Sequence, residues 1–145
     1  MQHKQWLAVV LIGVGVLAAG CSRGTAFGDQ DSEPAKVETV RGTDVKRVVL
    51  TARAAERLDI QTTRVRRLGA TRTVIPYSSV LYDPNGDTWT YTSPKPLTFI
   101  RHDIDVDRIE GNRAILSAGP PVGTAVVTIG ATELWGVEYG GIQED

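Results

Sequence analysis

The stretch "SVLYDPNGDTWTYTS", Ser79–Ser93, holds the strongest fold signal in the chain. Strand-forming residues alternate on either side of Asp83-Pro84-Asn85-Gly86-Asp87. Asn and Gly tolerate the positive φ that tight turns require, so the stretch reads as a β-hairpin. Val80 and Tyr82 share one side of its first strand, and Trp89 and Tyr91 share one side of its second. Tyr82, Trp89 and Tyr91 are therefore expected to stabilise the sheet as cross-strand aromatics, with an exposed partner-binding patch as the alternative.

The same signal recurs outward from this hairpin. "IDVDRIEGNRAILS" should turn at Glu110-Gly111-Asn112, and "GPPVGTAVVTIG" should give a tight loop and a last strand, Ala125–Ile129. Upstream, "VKRVVL" and "QTTRVRRL" are strand-like. "TARAAERLDI" changes to helical spacing, with Thr51 as cap and Ala54, Ala55 and Leu58 on one face. Pro76 donates no ladder bond, so it should mark an edge, a bulge or a strand start. The expected fold is mainly β: a small barrel or sandwich of about six or seven short strands with one short helix.

The N-terminus differs in kind. Lys4 precedes Trp6–Gly20, "WLAVVLIGVGVLAAG", which carries no charge. The run falls short of the about 20 apolar residues needed to span a bilayer. It ends in small residues directly before Cys21, the only cysteine. A charged start, a short apolar centre and a small-residue end describe an export signal. With a cysteine at the cut point, the pattern resembles the bacterial lipoprotein signal. That resemblance implies a lipid on Cys21 and removal of residues 1–20. The expected position of Leu, Val or Ile, three before the cysteine, holds Ala18 here. An ordinary secretory signal and an uncleaved anchor helix are the alternatives. Residues 21–44 are expected to be the lipidated cysteine and a flexible linker, being rich in Gly, Ser, Asp and Glu. Residues 45–145 remain for the domain.

Composition excludes several functions. The net charge is -1, with no basic footprint for nucleic acid. A single cysteine forms no internal disulfide. His102 has no nucleophile elbow around it, and no phosphate loop or C-x-x-C is present. An enzyme is therefore not expected, and no cofactor is called for. Asp103, Asp105 and Asp107 beside His102 suggest metal ligands at first sight. Ile104 and Val106 interleave them at period two, which is better read as a strand with a solvated acidic face. "RVRR", Arg64–Arg67, reads as a solvated strand edge that could touch anionic headgroups. Trp135, Glu138 and Tyr139 in "ELWGVEYGG" are expected to pack on the domain, or to serve as a partner-binding tail.

"VVLTARAAERLDIQTTRV", "VIPYSSVLYDPNGDTWTYTS" and "GPPVGTAVVTIGATELWGVEYG", taken in order, resemble the membrane-proximal β-domain of efflux adaptor proteins. These are the haemolysin D-like membrane fusion proteins of resistance-nodulation-division pumps. The resemblance spans residues 45–140, with Leu134, Gly136 and Glu138 matching a Leu-x-Gly-x-Glu pattern. It implies an extracytoplasmic accessory of an envelope transport system, anchored in a membrane and touching a transporter permease. A lipoyl-like domain and a long helical hairpin, present in full adaptors, have no counterpart in this chain. A ligand- or metal-binding envelope lipoprotein is the alternative.

Overall fold

The computed structural model describes residues 33–140. The signal segment, Cys21 and the first part of the expected linker lie outside the described residues. Among the described residues eleven strands form two sheets, and the strand paths have free ends, so no barrel closes there. The domain is a sandwich-like, mainly β fold with helices on one side.

The hairpin of the opening stretch is present, built from β6 (Leu81–Tyr82) and β7 (Thr88–Lys95). Asp83 organises its turn, accepting from the backbone N–H of Asn85 at 2.8 Å and of Asp87 at 2.9 Å. Only Gly86 takes positive φ there, at 91°. The aromatics do not pair as expected. Leu81 faces Trp89 and Tyr82 faces Thr88, so Tyr82 lies on the opposite side of the sheet from Trp89 and Tyr91. Neighbours along a strand point to opposite faces, and the register, not the composition, decides which residues meet.

The larger sheet runs β1 (Ala35–Thr39), β2 (Lys46–Leu50), β8 (Thr98–Asp103), β7, β11 (Ala125–Ile129) and β3 (Gln61–Arg64), with β6 added beside β7. The smaller runs β4 (Arg66–Leu68), β5 (Arg72–Pro76), β10 (Arg113–Ala118) and β9 (Asp105–Glu110). Buried Val65 links β3 to β4, and buried Ile104 links β8 to β9, so the chain passes between sheets at single apolar residues. The run expected as one acidic strand is thus divided. Asp103 ends β8, and Asp105 begins β9 in the other sheet. Pro76 sits at the end of β5, where its missing N–H costs no ladder bond.

Alternation sorts the core into two layers. Val65, Ile75, Ile104, Ala114, Leu116 and Val126 fill the space between the sheets. Val48, Leu50, Tyr91, Phe99 and Val127 lie on the far face of the larger sheet, where Ala131 and Leu134 join them from a helix. Val126 and Val127 face different layers, as period two requires.

Two expectations need correction. The sheet begins earlier than Val45: Ala35–Thr39, assigned to the linker, pairs with β2 from Ala35↔Leu50 to Thr39↔Lys46. Ala35 and Val37 alternate with Lys36 and Glu38, enough apolar character for an edge strand whose backbone finds a partner. Among the described residues there are also two α-helices, not one: α1 (Ala52–Arg57) and α2 (Ala131–Gly140), besides a 3-10 turn at Tyr77–Ser79. Strands of two and three residues, such as β6 and β4, raise the strand count above the expected six or seven.

α1 follows from local rules. Thr51 takes an extended conformation, and its hydroxyl accepts from Ala54 N–H at 3.1 Å. Ala54, Ala55 and Leu58 pack on the helix-side core, as their spacing implies. Thr51→Ala is expected to cost about 1 kcal/mol through loss of this cap. At about 4 °C per kcal/mol for a domain of this size, thermal melts should fall by a few degrees.

Candidate functional site

Charged and aromatic side chains gather where β7 and β8 meet α2. Arg101 stands on the helix-side face of β8, two residues beyond buried Phe99. A charge at such an inward position needs a partner. Glu138 of α2 supplies it: Arg101 Nε donates to Oε1 at 2.9 Å and to Oε2 at 3.0 Å. Both side chains are nearly removed from water, at 9% and 1% exposure. The Tyr91 hydroxyl donates to the same Oε2 at 2.5 Å. Lys46 Nζ donates to the Glu138 carbonyl at 3.4 Å.

Rings close over the guanidinium. Its central carbon lies 4.5 Å from the Trp89 ring centre and 5.2 Å from each of Trp135 and Tyr139. The Trp135 and Tyr139 rings themselves lie 4.7 Å apart. Cation–π contacts are worth about 0.5–2 kcal/mol each, more when desolvated as here. The three expected partner-binding residues are therefore brought together, around a cation rather than around an open surface. The Glu138 carboxylate is engaged internally by Arg101 and Tyr91. Trp135 is half-buried in the stack, and only Tyr139, at 55%, remains widely exposed. The arrangement ties α2 to the sheet and leaves no nucleophile or open ligand position within it.

Burial pushes the Tyr91 phenol far above its ordinary range, and its bond to Glu138 adds to this. The folded pKa exceeds the unfolded value of 10.0. Below pH 10 both states keep the proton, and this group gives no slope. Above it the unfolded chain ionises while the folded one does not, so stability falls as pH rises, by about 1.4 kcal/mol per pH unit. Urea midpoints for wild type and Tyr91→Phe should therefore converge above pH 10, because the variant lacks this term.

Next to the clamp, Trp89 also lines an open cleft of about 760 Å³ with Tyr82, Asp87, Thr88, Asp103 and Asp105. The acidic group weighed as a metal site is not assembled here. Asp107 is held by Arg72 at 3.3 Å and Arg108 at 2.8 Å, and His102 faces the other side of β8 from Asp103. Among the described residues no three His, Cys, Asp or Glu side chains converge on one point. Nor is any helix there long and apolar enough to cross a membrane.

Sequence reasoning missed Arg101, Lys46 and the Tyr91 hydroxyl. Arg101 had a usable signal, since it falls in phase with Phe99 on an alternating strand. Its partner, 37 residues away, had none. Compared with protein-family models, curated proteins and solved structures, the chain matches none.

Proposed function

We propose that the chain is a lipid-anchored, extracytoplasmic and non-enzymatic accessory of an envelope transport system. The observation that carries the reading is the uncharged run Trp6–Gly20 ending in Ala18-Ala19-Gly20 before the single Cys21. The link to transport rests on the order of the adaptor-like segments across residues 45–140. Glu33, where the described residues begin, lies twelve positions beyond Cys21. At about 3.5 Å per residue such a spacer reaches at most about 40 Å, which keeps the domain near the bilayer.

Intact mass of membrane-extracted protein tests the anchor. Wild type should lack residues 1–20 and carry added lipid, and Cys21→Ala should show no such form. An unlipidated wild type overturns the anchor. Pull-down of the tagged protein from membranes tests the partner. Repeated recovery of no transporter overturns the transport reading. The open cleft beside Trp89 is the one observation that favours a second reading, a ligand- or metal-binding envelope lipoprotein unrelated to efflux. Titration calorimetry with Ca²⁺, Zn²⁺ and Cu²⁺ decides it, and heats at background end it.

A further inference from the structure

The outer face of the four-stranded sheet carries a concentration of arginine. Residues 60–82, which include β4 and β5, contain Arg64, Arg66, Arg67 and Arg72 and no Asp or Glu. The strand register sorts them. Arg66, Val74, Ile115 and Arg108 form one cross-strand row. Ile75, Ala114 and Leu116, which fill the space between the sheets, alternate with that row. The row therefore faces outward, and Arg72 and Arg113 share its face by alternation.

Four arginines stand on this face against two carboxylates. Asp107 pairs with Arg72 and Arg108. Glu110 pairs with Arg108 at 2.8 Å and Arg113 at 3.4 Å. Two positive charges are left over in a chain whose total is -1. Arg66, on this face, is exposed and, among the described residues, has no carboxylate at ion-pair distance. Val74 and Ile115 point outward yet are only 5% and 0% exposed.

We propose that this face docks on the anionic leaflet that holds the anchor. The inference rests on the lipid-anchored reading and adds the orientation of the domain. Guanidinium groups bind phosphate oxygens in pairs, and a flat face suits a headgroup layer better than it suits a small ligand. Anionic leaflets attract basic groups within a screening length, with about a fivefold gain in bound population per group. Ala35, the first residue of β1, lies fourteen residues from Cys21, a span of at most about 50 Å. A domain of this size has a radius of gyration of about 13 Å, so the face reaches the leaflet. Tethering makes the contact intramolecular, so a weak interaction suffices.

The test uses the full-length lipoprotein in vesicles of phosphatidylcholine alone, or of phosphatidylcholine mixed with phosphatidylglycerol. With Cys21 acylated, Ser117→Cys gives a single free thiol on the exposed outer face, and Glu133→Cys gives one on α2 as a control. Each carries a fluorophore, and lipid-borne quencher reports proximity. Flotation reports the anchor separately. The expected result is flotation with both vesicles, with quenching at position 117 several-fold greater in the anionic ones and unchanged at 133. High salt should abolish the difference, Arg66→Glu should cut it several-fold, and Arg66→Lys should keep it. Flotation with both and equal quenching overturns the docking face and leaves the anchor standing. Flotation with neither overturns both. Flotation with anionic vesicles only, with quenching at 117, supports the face and overturns the anchor. A signal at 117 that follows protein density rather than headgroup charge assigns the face to a second copy and overturns the proposal.

Discussion

Glu138→Ala is expected to remove about 3–5 kcal/mol of folding stability, because it leaves a buried charge without its partner. Arg101 is only 9% exposed and sits under three rings, so water does not easily replace the lost carboxylate. Domains of this size have about 5–15 kcal/mol in total, so the loss is a large share. At about 4 °C per kcal/mol the melting temperature should fall by about 12–20 °C. The ion pair itself contributes much less than this loss. Desolvation offsets most of the Coulombic gain, and replacing both partners by apolar groups of similar volume is often neutral. Arg101→Leu/Glu138→Leu should therefore be clearly more stable than Glu138→Ala. Urea denaturation of the two single variants and the double closes the cycle. A Glu138→Ala loss below about 1 kcal/mol, the range of exposed pairs, would contradict the burial described here.

Leu134→Ala is expected to cost about 2–5 kcal/mol, the range for truncating a fully buried leucine. Leu134 is 0% exposed and belongs to the same cluster as Val48, Tyr91, Phe99 and Val127. The cavity would open between α2 and the larger sheet. Tyr139→Ala, four helical positions from Trp135 but 55% exposed, should cost about 1 kcal/mol or less, mostly from its contact with Arg101. The contrast separates two views of the C-terminal segment. A detachable tail would lose little stability at either position. A helix integral to the core loses much more at Leu134. Chemical denaturation of both variants provides the comparison, with hydrogen exchange across residues 131–140 as an independent readout of local opening.

These two expectations concern α2, the element least legible in the sequence. Gly136 and Gly140 lie within it, and glycine lowers helix propensity by about 1 kcal/mol relative to alanine. Gly130, which has no side chain to cap the helix with, precedes it with φ of 86°. Its stability comes from tertiary packing, which ordinarily outweighs propensity in proteins. The adaptor-like Leu-x-Gly-x-Glu pattern marked Leu134 and Glu138 as noteworthy. Why they matter became visible only when Tyr91, 47 residues from Glu138, and Arg101 were found beside them.

Local chemistry explains what the sequence determined by itself. The turns at Gly86 and Gly111, the Thr51-capped helix and the strand Ala125–Ile129 each depend on residues within a few positions of one another. So does the uncharged run before Cys21. Alternation likewise put Trp89 and Tyr91 on one face of β7 without any knowledge of partners. The tertiary structure decided everything that depends on pairing across distance. It drew β1 out of the expected linker, because an edge strand is stabilised by its neighbour's backbone more than by its own side chains. It divided the acidic run at Ile104, because that residue enters the layer between two sheets. It set Tyr82 on the opposite side from Trp89, because the register at Leu81↔Trp89 fixes which faces meet. It also supplied the partner that Trp135, Glu138 and Tyr139 pack around, the Arg101 guanidinium. A buried charge is tolerated only where a fold supplies its counter-charge, and spacing along the chain carries no record of that.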